Sequence, residues 1–410
     1  MFVHTIWSLL PPILAITVAI TTRKVFLALG LGILSGSILL EAALPAGLAK
    51  ALGLLWETLS QPRNALLICF IFAVGALISG VQGVGGLQAF VDRLERRGLL
   101  STRRSVRLLA WWSGVCLFIE SNMTIMVAGA LARPLFDKWK ISREKLAYLI
   151  DSTSGPICLL IPINAWGVYV VSLLQGAGAQ EPVKLLAESI LYNLYSILAI
   201  LLAFIAAYTG WSLGPMKRAE QRTQEGKLLF EGSEPMTDEA LFAPPEETSR
   251  PSKFRLLSLA VRGARSMMGL AGIILMALTL GRLTELLGTG TYVANLATGH
   301  LSPTLFLPLI FVLSALISFS TGTSWGTFAI MIPVVLPAAG AMGISEAPIL
   351  AAALSGGIFG DHASPISNTT IIASMAAATD HTDHVRTQLP YCLIAGALSV
   401  LGYLLVGALA

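Results

Sequence analysis

The chain alternates between long apolar runs and short polar stretches, a pattern typical of helices that cross a membrane. One crossing takes about 20 apolar residues. The runs without a polar interruption, which predict plain spans, are residues 6–20, 25–40, 65–81, 189–208, 267–287 and 389–409. The pattern therefore predicts an all-α polytopic membrane protein.

Other apolar runs are interrupted by polar residues near their middle. They are residues 106–136, 146–174, 304–341 and 349–378, with helix breaks expected at Gly155, Pro156, Gly322, Gly360 and Pro365. Non-helical backbone at membrane depth is tolerated only where it is buried in protein or lines a cavity. The first and third runs predict re-entrant hairpins, and the second and fourth predict discontinuous transmembrane helices. A single tilted helix is the alternative for 106–136.

Basic residues indicate which loops face the cytoplasm. Arg23 and Lys24 follow the first span, which predicts an external N-terminus. Residues 93–107 and 133–145 are both rich in bases, so the first hairpin is expected to enter and leave from the cytoplasm. The second hairpin is followed by Glu346 and no base, which favours entry from outside.

Both halves of the chain show the same order of a span, a hairpin, a broken helix and another span. Because the hairpins enter from opposite sides, we expect inverted repeats, each with a re-entrant hairpin and a discontinuous helix, as in secondary transporters. The predicted division is a scaffold of two transmembrane helices (1–62), a first repeat (63–212), a cytoplasmic linker (213–265) and a second, inverted repeat (266–410). The linker mixes acids with bases and contains Pro244-Pro245, which indicates a solvated segment.

Composition narrows the class of protein further. Of 410 residues, 55% are hydrophobic and 12% are charged, and the mean hydropathy is +0.76. Membrane lipid is thus the expected surrounding, and the net charge of +4, which lies in loops, does not point to a nucleic acid. The four cysteines show no spacing typical of zinc sites or disulfides. Without an H-E-x-x-H motif or a nucleophile with a recognisable paired base, neither an enzyme nor a cofactor is expected.

The polar interruptions contain the candidate chemistry. An ionised Asp at the bilayer centre costs about 3 kcal/mol, so Glu120, Asp151 and Asp361 are expected to have a function. The alternative is a buried Asp that only accepts hydrogen bonds from neighbouring hydroxyls. The other candidate ligands are Ser121, Asn122, Ser152, Thr153, Thr321, Thr323, Ser324, His362, Ser364, Asn368 and Thr369. Such an oxygen-rich set suits a hard cation such as sodium, with Asp151, Asp361 and Asn368 as predicted ligands.

Five segments carry a more specific signal. They read G-D-H-A-S-P-I-S-N-T-T-I (360–371), D-H-T-D-H-V-R-T-Q-L-P-Y (380–391), S-T-G-T-S-W-G-T-F (320–328), S-R-E-K-L-A-Y (142–148) and D-S-T-S-G-P (151–156). Together they resemble the signature stretches of the NhaC family of sodium/proton antiporters, from about residue 70 onward. The resemblance implies the ion-transporter superfamily fold, one site built by both hairpins and both broken helices, and an elevator-like alternation.

The resemblance also implies a function. A member of this family is expected in the plasma (inner) membrane, where it exchanges sodium or lithium for protons by alternating access. A carboxylate removed from water can hold either a proton or a cation, so the two ligands compete. Two positions depart from the family pattern, because Ile119 and Asn368 stand where members commonly have acids. A homodimer is plausible through the N-terminal scaffold and outer spans.

A second function stays open at this point. Members of the family also include exchangers of small carboxylates and amino acids, so a sodium- or proton-coupled carrier of the malate/lactate type is the alternative. It is favoured if Ser121 and Asn368 bind a carboxylate at helix N-termini.

Two further groups of residues have competing interpretations. His362 either holds or relays the proton of Asp361 or makes a simple hydrogen bond. The cluster of Asp380, His381, Asp383 and His384 favours an exposed cytoplasmic helix end, which could act as a pH sensor, over a metal site.

Overall fold

The computed structural model describes residues 2–76, 101–236, 253–289, 292 and 302–409, apart from positions 4, 23, 63, 67, 70, 71, 74 and 75. Most of the predicted span 65–81 and part of the arginine-rich segment lie outside the described residues. The described part of the chain is helical, with no strand. The prediction of an all-α protein is confirmed.

The first half contains ten α-helices among the described residues, after a short 3-10 turn at Ile6–Leu9. They are α1 (Leu10–Thr22), α2 (Val25–Glu41), α3 (Leu44–Ser60), α4 (Arg103–Cys116), α5 (Ser121–Lys138), α6 (Arg143–Leu160), α7 (Ala165–Gly176), α8 (Pro182–Ser189), α9 (Leu194–Thr209) and α10 (Gly214–Gln224). A second 3-10 turn, Ile190–Tyr192, separates α8 from α9.

The second half repeats much of this order. Its described helices are α11 (Lys253–Ser266), α12 (Met268–Leu286), α13 (Pro303–Thr321), α14 (Ser324–Met342), α15 (Glu346–Ala363), α16 (Asn368–Ala377) and α17 (His381–Leu409). In both halves a pair of helices joined at a short break is followed by a second such pair, α4–α5 and α6–α7 in the first half, α13–α14 and α15–α16 in the second. Two helix pairs, each with a short break, therefore follow one another in both halves, whereas the re-entrant hairpins and the inverted topology stay predictions.

Three described helical runs are long and apolar enough to cross a membrane by themselves. They are residues Leu194–Gln224, Thr304–Thr321 and His381–Leu409. A fourth candidate is the pair α6 and α7, which together pass the same test and are bent by 48° at their break. This bend is the geometry expected of a discontinuous transmembrane helix.

The N-terminal region contains one helix that the hydrophobic pattern did not predict. Two helices were expected in residues 1–62, and α3 is a third. Its buried residues Gly47, Ala51 and Leu54 recur on one face, and Gly47 lies against Ile38 of α2. The hydrophobic pattern did not predict α3 because Lys50 and Glu57 interrupt its apolar sequence.

The predicted breaks are correct at some positions and wrong at others. Gly322, with a φ of 67°, ends α13, and Pro365 lies between α15 and α16. By contrast, Gly155 and Pro156 lie inside α6, whose break comes later, between Leu160 and Ala165. The prediction of a helix break at Gly155 and Pro156 is therefore wrong. In membrane helices a proline is tolerated where neighbouring groups satisfy the freed carbonyl.

Gly360 was also predicted as a helix break and instead lies within α15. A Cβ atom there would lie 2.1 Å from the carbonyl oxygen of Ala315, and one at Gly356 would lie 2.2 Å from that of Phe311. Both oxygens belong to α13. Gly356 and Gly360 therefore let two helix backbones approach closely, as small residues four apart commonly do in membranes.

Within each half, the two breaks contact each other through a polar side chain. Asn164 Nδ2, in the break after α6, donates to the carbonyl oxygen of Phe118 in the break after α4 at 3.0 Å. Ser364 Oγ, in the break after α15, donates to the carbonyl oxygen of Phe319 near the end of α13 at 2.6 Å. The two halves thus join their hairpin and their broken helix in a corresponding way.

The predicted linker is packed rather than solvated over its first part. Helix α10 lies against α6 and α17, and Met216 and Ala219 are fully buried. Arg222 donates to both carboxylate oxygens of Glu144, at 2.7 and 2.9 Å. The description of residues 213–265 as a solvated segment is therefore wrong for 214–224, while the division into repeats stays a prediction.

Candidate functional site

Asp151 is buried near the middle of α6 and contacts two helices of the second half. Its Oδ2 accepts hydrogen bonds from Thr370 Oγ1 of α16 at 3.1 Å and from Gln388 Nε2 of α17 at 2.7 Å. Only 2% of the residue is exposed. The carboxylate therefore lies where the two halves meet.

His362 connects α6, α9 and α15. Its Nε2 lies 3.0 Å from Ser152 Oγ and 3.9 Å from Asp151 Oδ2, while its Nδ1 lies 2.7 Å from the hydroxyl of Tyr195. The carbonyl oxygen of His362 accepts a hydrogen bond from Gln388 at 2.8 Å. Both ring nitrogens and the backbone are thus engaged, and the imidazole is held beside the Asp151 carboxylate.

Asp361 precedes His362 and has one occupied and one open carboxylate oxygen. Oδ2 accepts a hydrogen bond from Ser324 Oγ, the first residue of α14, at 2.9 Å. Oδ1 is buried and accepts no hydrogen bond within 3.5 Å, although the Ser367 hydroxyl and the Ser324 amide lie close to the same carboxylate. A buried acceptor without a partner costs free energy, so it marks a place where a proton or cation would be stabilising.

Several predicted ligands act as helix caps. Glu120 caps α5 by accepting from the amide of Met123 at 2.8 Å, and Thr323 caps α14 by accepting from that of Gly326 at 3.4 Å. Such contacts satisfy amides that have no partner at a helix start. Part of the polar character of the breaks therefore follows from capping.

Other predicted residues contact their own helix or a neighbouring one. Thr153 and Thr321 donate to carbonyls of the preceding turn, at 2.8 and 2.9 Å. Thr369 Oγ1 lies 3.0 Å from the hydroxyl of Ser367. Ser121 is fully buried at the start of α5. These side chains line or brace the breaks, and among them Thr369 also lies close to the Asp151 carboxylate.

Two predicted amide side chains differ in their surroundings. Asn122 Oδ1 is buried and has no hydrogen-bond partner, as for the open oxygen of Asp361. Asn368, expected as a sodium ligand beside Asp151 and Asp361, is exposed at the first position of α16. The role of both residues stays a prediction.

Three residues of the site were not among the predicted ligands. Thr370 and Gln388 hydrogen bond to Asp151, and Tyr195 faces His362. Gln388 lies within the D-H-T-D-H-V-R-T-Q-L-P-Y segment, next to an apolar run, where an uncharged amide is costly unless it has a partner. That cost is the signal by which it could have been found.

The cluster at the start of α17 is less exposed than expected. His384 is fully buried, its Nδ1 lies 2.9 Å from Ser374 Oγ and its Nε2 lies 2.9 Å from Gln388 Oε1. His381 is partly exposed and also faces Ser374 Oγ, at 2.9 Å. The interpretation as an exposed helix end is therefore wrong for His384.

Comparison with known sequences places this architecture among transporters. The Na+/H+ antiporter family matches residues 247–408. An uncharacterised protein of Haemophilus influenzae is 30% identical over 99% of this chain and 92% of its own length. Shorter matches cover about a quarter of each relative: the arginine/ornithine antiporter ArcD of Halobacterium salinarum (33% identical over 30% of this chain) and the malate-2H(+)/Na(+)-lactate antiporter of Bacillus subtilis (32% over 26%).

The fold also resembles a solved transporter. The YdaH transporter of Alcanivorax borkumensis matches with a TM-score of 0.57 at 15% identity, over 88% of each chain. This similarity concerns the fold alone. The family match and the shorter matches to named antiporters agree, and this chain belongs to the Na+/H+ antiporter family of integral membrane transporters.

Proposed function

We propose that this secondary transporter exchanges sodium or lithium for protons across the plasma membrane by alternating access, with Asp361 as the residue that binds either ligand. The open Oδ1 of Asp361 carries the proposal, because it is a buried carboxylate oxygen without a hydrogen-bond partner. A sodium ion or a proton would complete its coordination. The two cannot bind at once, which is the requirement for coupled exchange.

Asp151 has a different setting and a different proposed role. Its Oδ2 already accepts two hydrogen bonds, and His362 Nε2 lies 3.9 Å away. Two fixed donors therefore compensate the negative charge of Asp151 at Oδ2, whereas Oδ2 of Asp361 accepts one hydrogen bond, from Ser324. We assign Asp361 to ion exchange and Asp151 to holding the two halves in register and to tuning the field around His362.

The experiment is a proton-flux assay in proteoliposomes loaded with a pH-sensitive dye. Asp361→Asn keeps an oxygen that accepts from Ser324 but removes the negative charge, so sodium-driven proton movement should be abolished. Without this carboxylate, a bound sodium ion would be an uncompensated buried charge. Such a charge costs about 3–5 kcal/mol, so we expect sodium affinity to fall by roughly 100-fold or more. Glu285→Gln, at an acid whose side chain is 61% exposed, is the matched control and should exchange normally. Undiminished exchange by Asp361→Asn would refute the proposal.

A coupled carrier of an organic anion or amino acid is the second candidate. Asn368 is exposed at the start of α16, Ser121 lies at the start of α5, and these two helices pack against each other. Helix N-termini attract carboxylates. The names of two relatives, which specify malate with lactate and arginine with ornithine, favour the same class of solute.

A thermal-shift panel separates the candidates, because a ligand that binds only the folded state raises its stability. Sodium, lithium, malate, lactate, arginine and ornithine are compared, each organic solute with and without sodium. Stabilisation by sodium or lithium alone supports ion exchange. Stabilisation by an organic solute that requires sodium would overturn the first proposal in favour of the second.

The orientation and the assembly are also proposed from the sequence. We place the N-terminus outside and the start of α17 in the cytoplasm, because basic loops face inward. We further propose a homodimer. Labelling of a cysteine introduced at exposed Thr382, from one side of sealed vesicles, tests the orientation, and light scattering in detergent tests the dimer.

A further inference from the structure

Two histidines at the start of α17 share one hydroxyl group. His381 Nδ1 and His384 Nδ1 each lie 2.9 Å from Ser374 Oγ of α16. His384 is fully buried, whereas His381 is partly exposed. The exchange proposed above uses neither imidazole, so the reason for this arrangement lies elsewhere.

The opposite nitrogen of each ring faces an oxygen that can only accept. His381 Nε2 lies 2.6 Å from the carbonyl oxygen of Pro365, and His384 Nε2 lies 2.9 Å from Gln388 Oε1. A carbonyl or amide oxygen has no proton to donate. Both imidazoles therefore carry a proton on Nε2.

The orientation of the Gln388 amide is fixed by its other contacts. Its Nε2 donates to Asp151 Oδ2 at 2.7 Å and to the carbonyl oxygen of His362 at 2.8 Å. If the amide were turned around, its oxygen would face the carbonyl of His362 without a proton between them. Gln388 Oε1 must therefore face His384, which confirms the proton on His384 Nε2.

One hydroxyl proton cannot serve two Nδ1 lone pairs. Ser374 Oγ also lies 2.9 Å from the carbonyl oxygen of Thr370, so three acceptors compete for its single proton. If both imidazoles were neutral, at least one Nδ1 would therefore face an oxygen lone pair at 2.9 Å. A proton added to that nitrogen turns it into a donor, and the hydroxyl then donates once and accepts once. We infer that the bridge formed by His381, Ser374 and His384 is a second proton-binding site, holding one proton more than two neutral imidazoles.

The added proton belongs on the exposed ring, since charging the buried one costs more desolvation. The donors then all point in one direction, from His381 to Ser374, to His384, to Gln388 and finally to Asp151. An unbroken series of hydrogen bonds thus couples the charge of the bridge to that of a carboxylate in the site. The role of this coupling in exchange rests on the proposed function, whereas the proton count does not.

Other charged and titratable groups surround the bridge. Those that face the start of α17 or contact its first turns are Asp151 and Arg143 of α6, His362 of α15, Glu220 of α10, and Asp380 and Asp383 beside the histidines. Asp383 accepts a hydrogen bond from Ser233 at 2.6 Å. Among these groups, Asp151 is connected to both imidazoles by the described hydrogen bonds, through Gln388 and Ser374.

Nitrogen-15 NMR of histidine-labelled protein in lipid nanodiscs counts these protons directly. The chain has five histidines, and His381→Gln and His384→Gln assign the two signals of interest. At neutral pH, where a free imidazole is mostly uncharged with a pKa of about 6.5, we expect His381 to carry protons on both nitrogens and His384 on Nε2 only. Two neutral imidazoles in the wild-type spectrum would overturn the inference, whether or not the protein exchanges sodium.

Ser374→Ala tests which contact holds the proton, with Ser399→Ala as the matched control. Each serine hydroxyl lies within hydrogen-bond distance of a carbonyl four residues earlier in its own helix, at 2.9 and 2.7 Å, but only Ser374 also meets imidazoles. We expect Ser374→Ala to lose the doubly protonated His381 signal and Ser399→Ala to keep it. A doubly protonated His381 in Ser374→Ala would refute the bridge. The wild-type spectrum remains decisive if that variant does not fold.

Discussion

Two hydroxyls hold the ring of His362, and the one that faces Nδ1 offers a test at a single residue. The ring lies between Ser152 and Tyr195, with Asp151 Oδ2 3.9 Å from Nε2. Tyr195→Phe removes the partner of Nδ1 without changing the size of the side chain. A hydrogen bond contributes about 1 kcal/mol, so we expect sodium-proton exchange to slow by roughly fivefold.

Tyr403→Phe is the matched control for Tyr195→Phe. Tyr403 is equally buried, and its hydroxyl donates to the carbonyl oxygens of Tyr192 and Ala351 at 2.8 and 3.0 Å, away from His362. Both variants should lose similar thermal stability, but only Tyr195→Phe should slow exchange in proteoliposomes. Equal slowing in both would mean that the hydroxyl at Tyr195 matters for packing alone.

The sequence could predict which residues are costly but not which residues meet. Asp151 and Asp361 stand out because an acid in an apolar run needs a reason to be there. Gln388, the partner of Asp151, comes from a distant helix, and Tyr195, which faces His362, is separated from it by 167 positions. Hydrophobic periodicity assigns each helix a buried face, but it does not identify the helix that packs against it.

At the scale of the element, a polar residue in a break can either cap the helix that follows or act as a ligand. Composition cannot separate these two roles. Each helix that follows a break begins with a side-chain cap, contributed by Glu120, Asn164, Thr323 and Ser367 in turn. The sequence predicted the existence of all four breaks because polar residues interrupt apolar runs. It misplaced the break in α6, since the capping residue Asn164 follows the conspicuous Asp151–Pro156 segment.

The packing role assigned to Gly360 makes a sharp prediction for α15. Gly360→Ala would place a methyl group 2.1 Å from the carbonyl oxygen of Ala315, so α13 and α15 must move apart. Overpacking of this kind costs about 1–3 kcal/mol, and we expect a lower thermal unfolding midpoint in detergent. Gly340→Ala is the control, because a Cβ there meets nothing within 4 Å. An unchanged midpoint for Gly360→Ala would argue for a flexible break instead.

At the scale of the whole molecule, the two halves interlock through polar contacts across their broken helices. Thr370 of the second half hydrogen bonds to Asp151 of the first, and Ser152 faces His362. Tyr169 of α7 donates to the carbonyl oxygen of Trp325 in α14 at 2.6 Å. Motion of one broken helix would therefore change the surroundings of both aspartates, which is what alternating access at a shared site requires.

The S-R-E-K segment at the start of α6 connects several parts of the molecule at one end. Arg143 binds Asp137 with two hydrogen bonds of 2.8 and 2.9 Å and donates to the carbonyl oxygen of Ala378 in the second half at 2.9 Å. Lys145 donates to the carbonyl oxygen of Gly210 at 3.1 Å. The residues that carried the family resemblance here are thus structural anchors, which their spacing alone could not reveal.

The buried pair of Glu144 and Arg222 makes the strongest prediction about stability. Glu144 is fully buried, and Arg222 also donates to the carbonyl oxygen of Leu228 at 2.8 Å and lies over the ring of Phe230. Arg222→Met leaves a buried carboxylate unpaired, so we expect a loss of about 3–5 kcal/mol and faster proteolysis of the segment near Phe230. Adding Glu144→Gln should recover part of the loss, because no unpaired charge remains.

The exposed pair of Lys184 and Glu181 is the matched control for this cycle. Lys184 Nζ and Glu181 Oε2 are 2.8 Å apart, but the two side chains are 63% and 68% exposed, respectively. A solvated ion pair contributes less than about 1 kcal/mol, so Lys184→Met should leave the thermal midpoint and the proteolysis pattern nearly unchanged. If Arg222→Met behaves like Lys184→Met, α10 does not anchor the start of α6, and the segment from 214 to 236 is a detachable linker after all. If only Arg222→Met is destabilised, α10 is part of the folded transporter and anchors the start of α6.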